Sequence, residues 1–121
     1  MSGFFKVISV LIRNQWKYKP AGKAAGRALS KMLKGKGFRV RSVYVSLGLG
    51  EPDKLSCIVL FENNGDLGKF ESSKEKQPLI RFYREELARR HYPPDAIEKV
   101  YVEFRSWEAI QNAGGLYTYL K

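Results

Sequence analysis

The segment Leu55–Phe61 (LSCIVLF) constrains the fold of this chain more than any other part of the sequence. Its residues carry no charge and are mostly apolar, a pattern typical of a β-strand buried on both faces. Phe38–Leu47 alternates and is rich in β-branched residues, and Gly48–Asp53 between the two segments has the composition of a turn. A third strand pattern, Lys99–Arg105, carries on its core face Val100, Val102 and Phe104.

Two longer segments have the composition and periodicity of helices. The first spans Pro20–Leu33, because proline suits the first helical position and alanine and leucine favour helix. Gly35 and Gly37 are expected to end it. After a polar connection over residues 63–73, the second helix runs from Ser73 or Pro78 to Arg90. Its apolar face consists of Leu79, Ile80, Tyr83 and Leu87.

Residues 4–12 (FFKVISVLI) fit two structures. As a helix, the segment would place Lys6, Ser9 and Arg13 on one face and its apolar residues on the other. As a strand, it would be short and rich in β-branched residues. We interpret it as a strand, and this gives the element order β-α-β-β-α-β.

That order is the ferredoxin-like pattern, an antiparallel sheet with two helices on one face. Ser106 is expected to cap a short helix through Asn112 that ends at Gly114 and Gly115, and Leu116–Leu120 is predicted as a final strand. The predicted fold class is therefore α+β, a ferredoxin-like βαββαβ sandwich with a C-terminal helical turn or strand. The length indicates a single domain over residues 1–121.

Positive charge is concentrated in the first third of the chain. The sequence has 22 Lys and Arg against 12 Asp and Glu, a net charge of +10. Residues 1–41 contain 11 of the basic residues and no acidic residue, which is +11, whereas the remaining residues sum to −1. The whole excess therefore lies in residues 1–41.

Part of this charge falls on one side of the first helix. At 100° per residue, with Lys23 at zero, Arg27 lies at about 40°, Lys31 at about 80° and Lys34 at about 20°. We call these four residues the cationic face. Like charges at this spacing destabilise a helix by a few tenths of a kcal/mol per pair. The second helix, in contrast, mixes basic and acidic residues.

An anionic partner would compensate this repulsion, and the phosphate backbone of a nucleic acid is an effective one because each phosphate carries a negative charge. The sequence therefore favours a small non-catalytic protein that binds a polyanion, most plausibly nucleic acid. The candidate binding residues are Lys23, Arg27, Lys31, Lys34, Lys36, Arg39 and Arg41. Two alternatives stay open. Acidic residues between 51 and 108 would pair with the cationic face inside the fold, or the chain would recognise an acidic protein as an inhibitor or immunity-type module.

Self-association through the open face of the sheet is a further option. Ferredoxin-like RNA-binding modules stack bases on aromatic residues of the sheet, and here Tyr44, Tyr101, Tyr117 and Tyr119 would offer such a stacking surface. The octamer at residues 36–43 (KGFRVRSV) matches the signature of RNA-recognition modules at only its first three positions. We therefore assign the chain to no such family.

Other chemistries find little support. The segment Gly22–Arg27 is not a phosphate loop, because no Gly-Lys pair is followed by Ser or Thr. His91 and Cys57 are single and far apart in sequence, which is weak ground for a catalytic pair, and Cys57 is expected in the core. The sequence thus predicts no catalytic residue, no metal site and no cofactor.

The expected location is the cytoplasm, without a membrane partner. No run of about 18 apolar residues is present. The residues before the apolar segment 4–12 include no basic group, so it lacks the form of a secretory signal. A single cysteine also suits a reducing compartment.

Overall fold

The computed structural model describes residues 2–114, and among the side chains of residues 2–15 it describes those of Ile8 and Arg13. Helices and strands follow one another along the chain as α1 (Ser2–Gly35), β1 (Val40–Leu47), β2 (Leu55–Phe61), α2 (Asn64–Ser72), α3 (Lys76–Arg89), α4 (Pro94–Ile97), β3 (Tyr101–Ser106) and α5 (Trp107–Asn112). Two short 3₁₀ turns, Gly48–Gly50 and Pro52–Lys54, connect β1 to β2. The fold is α+β.

The described residues form a three-stranded mixed sheet in the order β1-β2-β3. β1 and β2 are antiparallel, with Val45 opposite Cys57. β2 and β3 are parallel, with Val59 opposite Phe104. The segment between β2 and β3 is helical, as a parallel connection requires. β2 is therefore the central strand.

Our interpretation of residues 4–12 as a strand is wrong, because they lie within α1. The described residues do not show the ferredoxin-like order, because that order requires residues 4–12 to form a strand between β2 and β3. In a split βαβ unit, another strand separates the two parallel strands. Here β2 pairs directly with β3 over residues 56–61, so no position remains between them for a further strand.

The predicted start of the first helix at Pro20 is also wrong, because α1 begins at Ser2 and has Pro20 in its interior. Proline has no N–H to donate to the carbonyl group four residues earlier, here that of Trp16, and it disfavours a helix interior by about 3 kcal/mol. Its φ angle nevertheless suits a helix, so the chain continues through it. α1 is consequently 34 residues long.

The end of α1 follows the prediction closely. Gly37 has a φ of 90°, a conformation that glycine adopts without strain. Its N–H donates to the carbonyl of Lys34 at 3.0 Å, and the N–H of Phe38 donates to the carbonyl of Leu33 at 3.1 Å. This is the Schellman arrangement. It turns the chain directly into β1.

The prediction that β2 is buried on both faces is confirmed. On one face its residues join a large core cluster with α1 and α3, in which lie Leu29, Leu33, Leu55, Cys57, Val59, Phe61, Leu79, Tyr83, Leu87 and Phe104. On the other face Ile58 and Leu60 pack against Ile110 of α5, with Trp107 beside them. The sheet face opposite α1 is thus partly covered by α5.

Most of the remaining predicted elements are confirmed within one or two residues, including α3 and β3. The Ser106 side chain accepts a hydrogen bond from the N–H of Ala109 at 3.0 Å and caps α5 as expected. The polar connection is wrong in part, because residues 64–72 form α2, capped by the side chain of Asn63. The predicted strand Leu116–Leu120 lies outside the described residues.

Within the described part of the chain, no helix combines the length and the apolar character needed to cross a membrane.

Candidate functional site

Two glycines allow α1 to lie very close to the sheet. A Cβ atom added to Gly22 would come within 2.9 Å of Leu55 Cδ1, and one added to Gly26 within 3.1 Å of Val43 Cγ1. Real Cβ atoms hardly ever approach a neighbour at the first of these distances. The side of α1 that carries Gly22 and Gly26 is therefore pressed against β1 and β2.

A buried hydrogen bond joins the same turn of α1 to α3. The hydroxyl group of Tyr83, on α3, donates to the carbonyl oxygen of Gly22 at 3.1 Å. Burial raises the pKa of Tyr83 well above its usual range. Burial also raises the pKa of Cys57 from 9.0 to about 12, a change that a hydrogen bond with Tyr83 partly offsets. Both groups therefore stay neutral at physiological pH and serve the core.

A groove of about 470 Å³ runs between α1 and β1. Its α1 wall consists of Lys19, Lys23, Gly26, Arg27, Ser30 and Lys34, and its β1 wall of Arg41, Ser42, Val43, Tyr44 and Val45. Successive residues of a strand point to opposite faces of the sheet. A groove that touches five consecutive strand residues must therefore follow the edge of the strand, where β1 has no neighbouring strand among the described residues.

The structure brings four of the seven sequence-predicted residues into this groove, namely Lys23, Arg27, Lys34 and Arg41. The other three, Lys31, Lys36 and Arg39, are exposed but do not line it. The position of Lys31 agrees with the helical geometry, because at about 80° it lies at the margin of the cationic face.

Two of the seven sequence-predicted binding residues form ion pairs with acidic side chains. Lys36 Nζ lies 3.5 Å from Glu75, and an Arg41 guanidinium nitrogen lies 3.5 Å from Glu62. The Arg41 guanidinium also stacks 4.5 Å above the ring of Trp107. Arg41 is therefore held in place by a carboxylate and an aromatic ring together.

The cationic face itself has no such partner. Among residues 2–114, no acidic side chain forms an ion pair with Lys23, Arg27, Lys31 or Lys34. The acids lie elsewhere. Glu86 pairs with Arg89 and Arg90, Glu103 with Arg105, and Glu51 with Lys54. The alternative that the fold pairs the cationic face internally thus finds no support in the described residues.

Sequence reasoning missed three polar groups of the groove, which are Lys19, Ser30 and Ser42, whereas Tyr44 was among the predicted stacking residues. Lys19 was missed because the helix was predicted to begin at Pro20. Once α1 is continued through the proline, Lys19 falls at about −40° and Ser30 at about −20° on the same wheel, beside Lys23. The helical spacing would therefore have indicated both, had the proline not been read as a boundary.

The side chains that most often serve catalysis or metal binding, His91 and Cys57, lie outside the groove. His91 is exposed and has a φ of 62°, and its N–H donates to the carbonyl of Ala88 where α3 ends. Cys57 is buried as predicted. Within the described residues, no three His, Cys, Asp or Glu side chains are close enough to hold a metal ion.

Comparison of the chain with protein-family models, with curated proteins and with solved structures finds no match. The interpretation of the groove therefore depends on its own geometry and charge.

Proposed function

We propose that the groove between α1 and β1 binds the phosphate backbone of nucleic acid. The observation that carries this proposal is the row of four cations on the α1 wall, Lys19, Lys23, Arg27 and Lys34. They line one concave surface without an acidic partner among the described residues. Such a row is unfavourable in the isolated protein and favourable once anions occupy the groove.

Both walls of the groove supply further hydrogen-bond donors to phosphate oxygens. Ser42 and Ser30 carry hydroxyl groups, and the guanidinium of Arg41 is already oriented by Glu62 and Trp107. The edge of β1, which pairs with no strand among the described residues, adds backbone N–H groups. Contacts from serine hydroxyls, backbone N–H groups and arginine to phosphate are the ones that position a protein on nucleic acid.

A quantitative expectation follows from the number of cations. Four phosphate contacts give a slope of log affinity against log salt of about −3.6 on duplex DNA and about −2.8 on a single strand. A rise from 50 to 200 mM salt would then weaken binding by roughly 50- to 150-fold. Fluorescence anisotropy with a labelled oligonucleotide over this salt range measures the slope.

The decisive variant removes two adjacent charges from the groove. We expect Lys23→Gln/Arg27→Gln, the α1 double variant, to lower the affinity at 50 mM salt by a factor on the order of 100 and to reduce the slope by about 1.4 to 1.8. The matched control is Lys76→Gln/Arg81→Gln, the α3 double variant. It removes the same residue types and the same net charge from exposed positions of another helix.

The α3 double variant should change the affinity by less than about 3-fold, because charges outside the contact surface act only through a screened field. Equal losses in the two double variants would show that net charge alone attracts the oligonucleotide, and would contradict a site in the groove. Absence of binding at 50 mM salt would reject the proposal.

An acidic protein segment is the second candidate, and the edge of β1, which is unpaired within residues 2–114, favours it, because an extended peptide can add to such an edge as a further strand. Competition distinguishes the two. If polyglutamate displaced the labelled oligonucleotide as efficiently as unlabelled nucleic acid did, the acidic-protein interpretation would replace the first.

A further inference from the structure

The indole ring of Trp16 is the most exposed large hydrophobic side chain among the described residues, with 79% of its surface accessible. Tryptophan carries a large apolar surface that is normally well covered in folded proteins. Trp16 is followed on α1 by Lys19, Pro20 and Lys23, and the four residues together line a second cavity of about 350 Å³. An exposed aromatic ring thus stands next to the cations of the groove.

The second cavity continues into the groove, because Lys19 and Lys23 line both. The helical geometry gives the same result. At 100° per residue, Trp16 falls at about 20° on the wheel that has Lys23 at zero, in line with Lys34. Trp16 and the four cations of the α1 wall, Lys19, Lys23, Arg27 and Lys34, therefore follow one side of α1 over about 27 Å, at 1.5 Å per residue. We call this line of five residues the track.

The shape of this track suits a single strand better than a duplex. An α-helix that reads duplex DNA projects into the major groove. The cations of α1 face instead into a concave groove whose second wall is the edge of β1. The cations Lys19, Lys23 and Arg27 repeat every four residues, about 6 Å along the helix, which is comparable to the separation of successive phosphates in an extended strand.

Exposed aromatic rings beside a cationic groove are the combination by which proteins hold unpaired bases, since every base has a face that stacks. Trp16 provides such a ring at one end of the track. Tyr44, 42% exposed on β1, provides another on the opposite wall of the groove. A base inside a duplex has both faces stacked already and cannot use either ring.

We propose that the track binds single-stranded nucleic acid, with its backbone along Lys19, Lys23, Arg27 and Lys34 and a base stacked on Trp16. This inference rests on the proposed function and adds to it the class of nucleic acid and the role of one aromatic residue.

The test compares a labelled single strand of about 12 nucleotides with the same strand annealed to its complement. We expect the single strand to bind at least about 10-fold more tightly at 50 mM salt. Trp16→Ala should weaken single-strand binding by about 10-fold or more, because loss of one base-aromatic stack has an effect of this size. Leu49→Ala is the control, since Leu49 is the second most exposed large hydrophobic side chain among the described residues but lies in the Gly48–Gly50 turn, outside the groove, and its loss should leave the affinity unchanged.

A spectroscopic measurement separates stacking from a general effect on affinity. The chain has two tryptophans, so Trp107→Phe leaves Trp16 as the single indole while preserving an aromatic ring beneath Arg41. We expect single-stranded oligonucleotide to quench the remaining tryptophan fluorescence. The wild-type protein serves as a second reference if Trp107→Phe lowers the stability.

The outcomes are distinguishable. If the duplex binds as tightly as the single strand and Trp16→Ala has no effect, while the α1 double variant still weakens binding, the single-strand inference is wrong and the proposed function stands. If no oligonucleotide binds in either form, both are wrong. If mixed phosphatidylcholine and phosphatidylserine vesicles, and not oligonucleotides, shift the emission of Trp16, an anionic lipid surface is the partner and the inference is overturned.

Discussion

The helices α1 and α3 contribute to the same hydrophobic core, but they differ in whether their charged side chains have partners of opposite charge. On α3, Glu86 is only 6% exposed and is paired with both Arg89 and Arg90. On α1, the four residues of the cationic face have no acidic partner among the described residues. The buried charge of Glu86 on α3 is compensated by its neighbours, whereas the exposed charges of the cationic face are not compensated by an acid within residues 2–114.

The inward sides of the two helices differ as well. α3 packs with large side chains, Leu79, Tyr83 and Leu87, whereas α1 approaches β1 and β2 most closely where Gly22 and Gly26 lack side chains. The groove is lined by this same stretch of α1 and by β1. α3 thus stabilises the core with large side chains, whereas α1 places its own cationic side chains along the groove.

Arg90→Gln should produce the largest change in stability. It removes a guanidinium that pairs with the Glu86 carboxylate and also donates to the Glu86 carbonyl at 3.0 Å. Loss of a partner from a fully buried ion pair costs about 3–5 kcal/mol, but Arg90 is partly exposed and Arg89 remains, so we expect about 1–2 kcal/mol. Urea unfolding measures it. Arg81→Gln, at an exposed site on the same helix, should change the stability by less than about 0.5 kcal/mol, and an equal loss there would contradict the role of Glu86.

Gly22→Ala tests the close approach of α1. The added Cβ would meet Leu55 at 2.9 Å, and overpacking costs about 1–3 kcal/mol, which exceeds the gain of up to about 1 kcal/mol in helix propensity. We expect a net loss of about 1 kcal/mol in the free energy of unfolding. Gly68→Ala in α2 is the control, because nothing lies within 4 Å of its Cβ position. It should raise the stability by about 0.5–1 kcal/mol, and the same gain in Gly22→Ala would show that α1 lies farther from the sheet.

The α1 double variant should have the smallest effect, and of the opposite sign. Removal of Lys23 and Arg27 relieves repulsion with Lys19 and Lys31, which lie four residues away, at a few tenths of a kcal/mol per pair. We expect the free energy of unfolding to rise by about 0.5 kcal/mol at low ionic strength and the gain to disappear in high salt. The α3 double variant should show no such gain. A loss of stability in the α1 double variant would mean that these cations support the fold.

Local signals in the sequence determined most of the fold. The apolar run of β2, the glycines after α1 and the Ser106 cap act through neighbouring residues, so their positions follow from propensity and periodicity. Residues 4–12 and Pro20 are each compatible with two local structures, the first with a strand or a helix and the second with the start or the interior of a helix. The direct pairing of β2 with β3, which no local pattern encodes, leaves no place between these strands for residues 4–12.

The sequence by itself also determined that positive charge is concentrated in residues 1–41 and falls on one side of a helix, because helical periodicity alone places Lys23, Arg27 and Lys34 together. Only the tertiary structure decided what stands opposite them. The packing of Gly22 and Gly26 against the sheet brings the edge of β1 beside the cations, and the folded positions of the acidic residues leave those cations without partners among the described residues. The physical reason is that a groove and an unpaired charge are relations between segments distant in sequence, which form only when the chain packs.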